Sequence, residues 1–275
     1  MQEMERIEKE CLIDTNEVIK YPPVALSYGS KTIKSLTGDY TIPIPIGTYG
    51  NFSFVQAPPK THKTYFISLL ASVYLSGQNK YGGEIRGHRD DKCLIHIDTE
   101  QGKYHAQRVF KRVVDMNNET DIGCYHTFGL RTIGYSKRIE FIEYYLKNKI
   151  PKGKVGLLVI DGIADLCGDV NNIEQSNDVV QKIMEWSQIY NCHIITVIHT
   201  NPGNVSKPTG HLGSFLEKKT ETQIQLEANT TNKGWISVIC KRSRGYSFDR
   251  FSFKIDDYGL PKVITNLYNP LDVDF

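Results

Sequence analysis

Four stretches of the chain hold residues whose types and spacing suit phosphate chemistry. The first is APPKTHKT, residues 57 to 64, where Lys63 and Thr64 open an apolar helical pattern directly after the short apolar run FSFVQA. A phosphate cradle needs consecutive backbone N–H groups at a helix N-terminus, a lysine to neutralise charge, and a hydroxyl for a magnesium ion. Lys63 and Thr64 supply the last two. Thr61, His62, Lys63 and Thr64 all keep their N–H groups, while Pro58 and Pro59, early in the loop, have none. The usual spacing G-x-x-x-x-G-K-[ST] calls for glycine where this chain has Ala57 and His62. Alanine is nearly as small, whereas histidine accepts a positive φ better than most residues and worse than glycine. An ordinary strand-to-helix turn with surface lysines is the bland alternative.

Three further apolar runs end in polar groups. VGLLVID ends in Asp161, an acidic residue suited to hold a magnesium shell from a buried strand. CLIHIDTEQ ends in Asp98 and Glu100, and Glu100 suits the base that orients or deprotonates an attacking water. HIITVIHTNP ends in His199, Thr200 and Asn201, placed to feel a terminal phosphate and pass its loss to the next loop. Taken singly, these are a turn-capping aspartate, a solvated glutamate and a satisfied strand-end histidine. Together, in this order, they point to one nucleotide site.

The elements that must position them follow from periodicity. Strands are predicted at 52–57, 93–98, 123–128, 155–160, 193–198, 222–226, 235–240 and 249–255. Helices are predicted at about 63–77, 103–118, 135–149 and 174–190. Alternation of the two predicts an α/β fold, with a mostly parallel central sheet flanked by helices. After residue 220, short turns such as TTNKG, RSRGYS and DDYGLP predict antiparallel hairpin strands at the C-terminal edge. Residues 1 to about 20 read as a polar helix and 21 to 50 as an extended strap. The division expected is therefore 1–44 helix and strap, 45–265 nucleotide-binding domain, and 266–275 tail. In an open parallel sheet the ligand lies at the carboxyl ends of the strands, where the four stretches fall.

Composition narrows the setting. The 275 residues suffice for one large core, and a formal charge of +2 does not by itself announce a nucleic-acid binder. The longest apolar run, at 155–160, is far short of the roughly 20 residues of a membrane helix, and the charged N-terminus lacks a signal peptide's apolar core. A cytoplasmic protein without membrane contact is expected. Six scattered cysteines with no C-x-x-C pair read as buried free thiols, and ligand spacing disfavours a zinc site.

On these motifs the chain resembles the RecA-like ATPases, and within them the RepA-type and DnaB-type ring helicases, over residues 45 to 255. The resemblance implies ATP and Mg2+ as cofactors. It makes 57–64 the Walker A loop, with Ala57, Lys60, Thr61, His62, Lys63, Thr64 and Tyr65 binding nucleotide, and 157–161 the Walker B strand. Thr64 and Asp161 would hold the metal, Glu100 would be the catalytic glutamate, and HTN at 199–201 the sensor. GHLGS at 210–214 resembles the segment after the family's DNA-facing loop, here NPGNVSKPT. Within residues 201–213, Lys207 and His211 could meet single-stranded DNA. KRSRG at 241–245 resembles the Lys-x-Arg-x-Gly element that enters a neighbour's site. Lys241 and Gly245 match, while the arginine position holds Ser243, leaving Arg244 or Arg242 to act in trans. A homo-oligomer follows, a six-membered ring by family likeness, serving DNA replication, mobilisation or recombination alongside other proteins of those processes. The tail NPLDVDF faintly resembles acidic partner-recruiting tails, with a frayed end as the alternative. A non-hydrolysing nucleotide sensor or DNA-binding scaffold is the alternative function, and an ATPase acting on proteins is a third.

Overall fold

In a computed structural model, residues 2–36, 38–119 and 122–264 are described; the expected tail at 266–275 lies outside them. The elements run α1 (Gln2–Cys11), β1 (Val24–Ile33), β2 (Tyr40–Thr48), β3 (Phe52–Ala57), α2 (Lys63–Ser76), β4 (Ile85–Gly87), β5 (Cys93–Asp98), α3 (Lys103–Met116), β6 (Tyr125–Gly129) and α4 (Tyr135–Asn148). There follow β7 (Val155–Asp161), α5 (Ile173–Ile189), β8 (His193–Asn201), β9 (Asn204–Pro208), α6 (Gly210–Lys219), β10 (Thr222–Ala228), β11 (Trp235–Ser243), β12 (Phe251–Ile255) and β13 (Pro261–Val263).

The main sheet has the order β13-β12-β11-β10-β3-β8-β7-β5-β6, with β9 added to β8. The six strands from β10 to β6 are mutually parallel, whereas β11, β12 and β13 extend the sheet antiparallel. The expected fold class is the one observed. β3, β7 and β8 read as nearly unbroken apolar runs because helices cover both faces, and one hydrophobic core lies on each side.

α2 explains how the first loop is held. Its sequence, KTYFISLLASVYLS, is apolar all round, and its residues from Phe66 to Leu75 are buried. A helix of that kind is buried on every side. It is covered by the main sheet on one side and by a second, three-stranded sheet, β2-β1-β4, on the other. Each fully buried Leu, Ile or Phe contributes about 2 kcal/mol, so the start of α2 is firmly anchored.

The segment read as a strap is thus a pair of antiparallel strands, β1 and β2. Pro43 and Pro45 obscured the pattern; they are tolerated because β2 is the edge of its sheet. The N-terminal helix ends at Cys11 rather than near residue 20. The stretch NPGNVSKPT, expected as a loop, contains β9, which folds back on β8 as a hairpin. Only Cys167 and Cys192 are buried, against the expectation for the cysteines as a set. Among the described residues, no helix is long and apolar enough to cross a membrane.

Candidate active site

The loop between β3 and α2 turns on two residues with left-handed backbone, Lys60 (φ 63°) and His62 (φ 56°). His62 is the N-cap of α2 and its side chain caps nothing. The Tyr65 and Phe66 N–H groups bond the His62 carbonyl, at 3.0 and 3.1 Å, which leaves those of Lys63 and Thr64 without an intrahelical or side-chain acceptor among the described residues. Thr61 Oγ1 donates to the Pro58 carbonyl at 2.9 Å and closes the loop on itself. Lys63 Nζ donates to the carbonyls of Ala57 (3.3 Å) and Pro58 (3.0 Å) and to His199 Nδ1 (3.1 Å). Parallel pairing of β3 with β8 sets Ala57 beside His199, which brings the lysine and the histidine together.

An ammonium has only donors, so Nδ1 of His199 must accept, and the ring proton sits on Nε2. That nitrogen faces Glu100 Oε1 at 3.8 Å, ion-pair range rather than a hydrogen bond. The facing His199 ring, and secondarily Lys63, hold the Glu100 carboxyl below its ordinary pKa against the opposing effect of burial. Burial lowers the Lys63 pKa, opposed by Glu100 and Asp161.

Asp161 ends β7 directly beside Asp98 at the end of β5. It is buried, and its Oδ2 has no hydrogen-bond partner. Burial first, and Asp98 second, push its pKa up to about 7, with the Thr64 hydroxyl opposing the shift. Asp98 is capped by the Glu100 and Gln101 N–H groups, at 3.0 and 2.7 Å. Gly162 follows with φ 105°, and a Cβ there would lie 2.2 Å from Thr99 Oγ1. Glycine at this point lets Thr99 bond the Asp161 and Gly162 carbonyls, at 3.1 and 2.9 Å.

An orphaned buried carboxylate oxygen beside a threonine hydroxyl is the donor set of a hard divalent cation, and uncapped N–H groups with a lysine suit phosphate oxygens. Both fit magnesium and a nucleotide. The cavity between them measures about 410 Å³ and is lined by Lys60, Thr61, His62, Lys63, Thr64, Tyr65, Glu100, Asp161 and His199, all expected from the sequence. Ala57 is buried at the end of β3 and does not line it.

Five lining residues were not expected: Gln101 beyond β5, and His105, Arg108, Val109 and Arg112 of α3, of which three are basic. Their spacing, H-x-x-R-x-x-x-R, puts three basic groups on one helical face and was the available signal. Arg112 lies 3.8 Å over the Tyr65 ring and donates to Ser68 Oγ at 3.1 Å, tying α3 to α2.

The remaining expected residues lie elsewhere. Lys241 Nζ bonds the Ser206 carbonyl, and Arg244 Nη2 donates to the Lys219 carbonyl at 2.6 Å; neither lines the cavity. Lys207 and His211 are exposed at the β9 end of the hairpin and the start of α6.

A family model described as an AAA domain matches residues 47–204, more than half of the chain. No curated protein matches. The solved structure of the RadB recombinase superposes with a TM-score of 0.55 at 14% identity, over 79% of this chain and 92% of that one. At that identity the likeness speaks for the fold alone, which is RecA-like.

Proposed function

Since this chain belongs to the AAA domain family and has a RecA-like P-loop ATPase fold, we propose that it binds ATP with magnesium and hydrolyses it in DNA recombination or replication. The observation that carries this reading is the convergence of Lys63, Thr64, Asp161, Glu100 and His199 on one cavity at the carboxyl ends of four parallel strands.

In this mechanism the N–H groups of residues 61 to 64 cradle the phosphates, and Lys63 leaves the loop carbonyls to neutralise the β and γ oxygens. Thr64 and Asp161 hold magnesium, which when bound neutralises charge on the phosphates. Glu100 accepts the proton of the attacking water as its oxygen bonds to the terminal phosphorus. The bond to the bridging oxygen breaks, giving ADP and inorganic phosphate. His199, joined to both Lys63 and Glu100, positions the pair and senses whether the terminal phosphate is present. Copies of the chain assemble as a ring, six-membered by the likeness to the RepA-type and DnaB-type helicases, so that the Lys241–Gly245 segment meets a neighbour's site. The hairpin of β8 and β9 contacts single-stranded DNA.

One observation favours a second reading. Lys60 and His62 impose left-handed backbone without glycine, a strain that suits a tight-binding sensor without turnover. Calorimetric titration with ATP, paired with phosphate release, separates the two: turnover supports the ATPase, and binding without release supports the sensor. Absence of binding would overturn both.

A further inference from the structure

The cavity carries positive charge at both of its ends. With the phosphates on Lys63 and the metal between Thr64 and Asp161, the nucleoside takes the remaining space, walled by Tyr65 and by the α3 face of His105, Arg108, Val109 and Arg112. Val109 is buried and gives that wall an apolar floor. The carboxylates that line the cavity, Glu100 and Asp161, both stand at the phosphate end. Gln101, a lining side chain with an acceptor, is held at that end too, its backbone and side-chain N–H groups both donating to Asp98 at 2.7 Å.

Arg108 and Arg112 lie one helical turn apart, a spacing at which like charges repel. Among the described residues no carboxylate pairs with either. Burial lowers the Arg112 pKa, and the charge of Arg108 adds to the effect. The two side chains differ in commitment. Arg112 is fixed 3.8 Å over the Tyr65 ring and donates to Ser68 Oγ at 3.1 Å. Arg108 is exposed, and beyond a 6.0 Å approach to the Tyr104 ring no hydrogen bond or ion pair engages it among the described residues. It leaves a free planar fork at the nucleoside end.

A guanidinium donates and never accepts, so its best ligand presents adjacent acceptors. Guanine does so with N7 and O6, which an arginine fork takes bidentately, whereas adenine sets an amino donor beside its N7. We propose that Arg108 reads the N7 and O6 edge of a 6-keto purine, so that the cavity takes guanine nucleotides in preference to ATP. The inference rests on the reading of the cavity as a nucleoside triphosphate site and widens its substrate class.

Calorimetric titration of the full chain with the magnesium complexes of GTP, inosine triphosphate and ATP tests it. GTP and inosine triphosphate share the N7 and O6 edge and should bind alike, about tenfold tighter than ATP, the discrimination of one bidentate pair. 7-Deaza-GTP, which lacks the N7 acceptor, should fall to about the affinity of ATP. In Arg108→Ala the ratio of GTP to ATP affinity should drop to about one, and Arg108→Lys, which keeps charge and loses the fork, should not restore it. ATP bound as tightly as GTP or tighter by wild type, or a GTP preference that survives Arg108→Ala, would overturn the proposal. Equal losses of GTP and ATP affinity in Arg108→Ala, with their ratio unchanged, would overturn it in favour of a phosphate contact. If wild type binds none of the three, the nucleotide reading itself fails, and this inference with it.

Discussion

Lys63 Nζ lies 3.1 Å from His199 Nδ1, and the opposite nitrogen of the same ring faces Glu100 Oε1 at 3.8 Å. Three residues from three strand ends are thereby linked through one imidazole. The linkage makes the charge of Glu100 depend on His199, and it gives the lysine an acceptor that it must release when phosphate arrives.

His199→Ala removes the first cause of the low Glu100 pKa. A carboxyl whose folded pKa is depressed contributes stability above its unfolded value and loses it as pH falls through the folded one. The substitution should therefore raise the acidic limb of the pH profile of kcat/KM toward the ordinary glutamate range and slow turnover about a hundredfold through misplacement. An acidic limb that stays in place would show that His199 does not govern Glu100.

His62 adopts φ 56° at a position where glycine costs nothing. Its ring meets Tyr65 edge-on at a centroid distance of 5.5 Å and lines the cavity. His62→Gly should relieve about 1 kcal/mol of backbone strain, seen as a higher urea midpoint, and should tighten ATP binding. Weaker binding would mean that the imidazole itself contacts the nucleotide.

Burial, and Asp98 beside it, raise the folded-state pKa of Asp161 to about 7, above the ordinary aspartate value of 3.8 that holds in the unfolded chain. The folded state binds the extra proton between those values, so stability at this site is full below the lower and is lost as pH rises toward the upper. Asp161→Asn should flatten the fall in apoprotein melting temperature between pH 4 and about 7 and should abolish stabilisation by magnesium plus ATP. An unaltered slope would place the titration elsewhere.

Gly162→Ala should destabilise the chain by about 2 kcal/mol or more, because φ 105° strains an alanine and its Cβ meets Thr99 Oγ1. Chemical denaturation measures it; a loss under 0.5 kcal/mol, within the range of an ordinary surface change, would contradict the close fit.

The site was legible wherever a strand end and its side chain coincide. Lys63, Thr64, Glu100, Asp161 and His199 each stand at or just beyond the end of an apolar run, and parallel pairing alone brings them together. Residues that reach the cavity from a helix flank, His105, Arg108 and Arg112, were missed because an amphipathic helix carries basic groups on its solvent side for many reasons. In the fold, β2 was hidden by Pro43 and Pro45, whose tolerance depends on an edge position that only tertiary pairing creates. The bulge at Lys241, where Gln223 of β10 faces Arg242 of β11 and Ile224 faces Cys240, was likewise invisible, since register is a property of two strands and not of one.

Magnesium-dependent ATP hydrolysis by wild type and Lys63→Ala, each with and without single-stranded DNA, decides whether the cavity is a DNA-linked ATPase site. Wild type should turn over ATP, faster with DNA, and Lys63→Ala should not. Equal turnover by the two proteins, or none by wild type despite measurable ATP binding, would contradict that assignment.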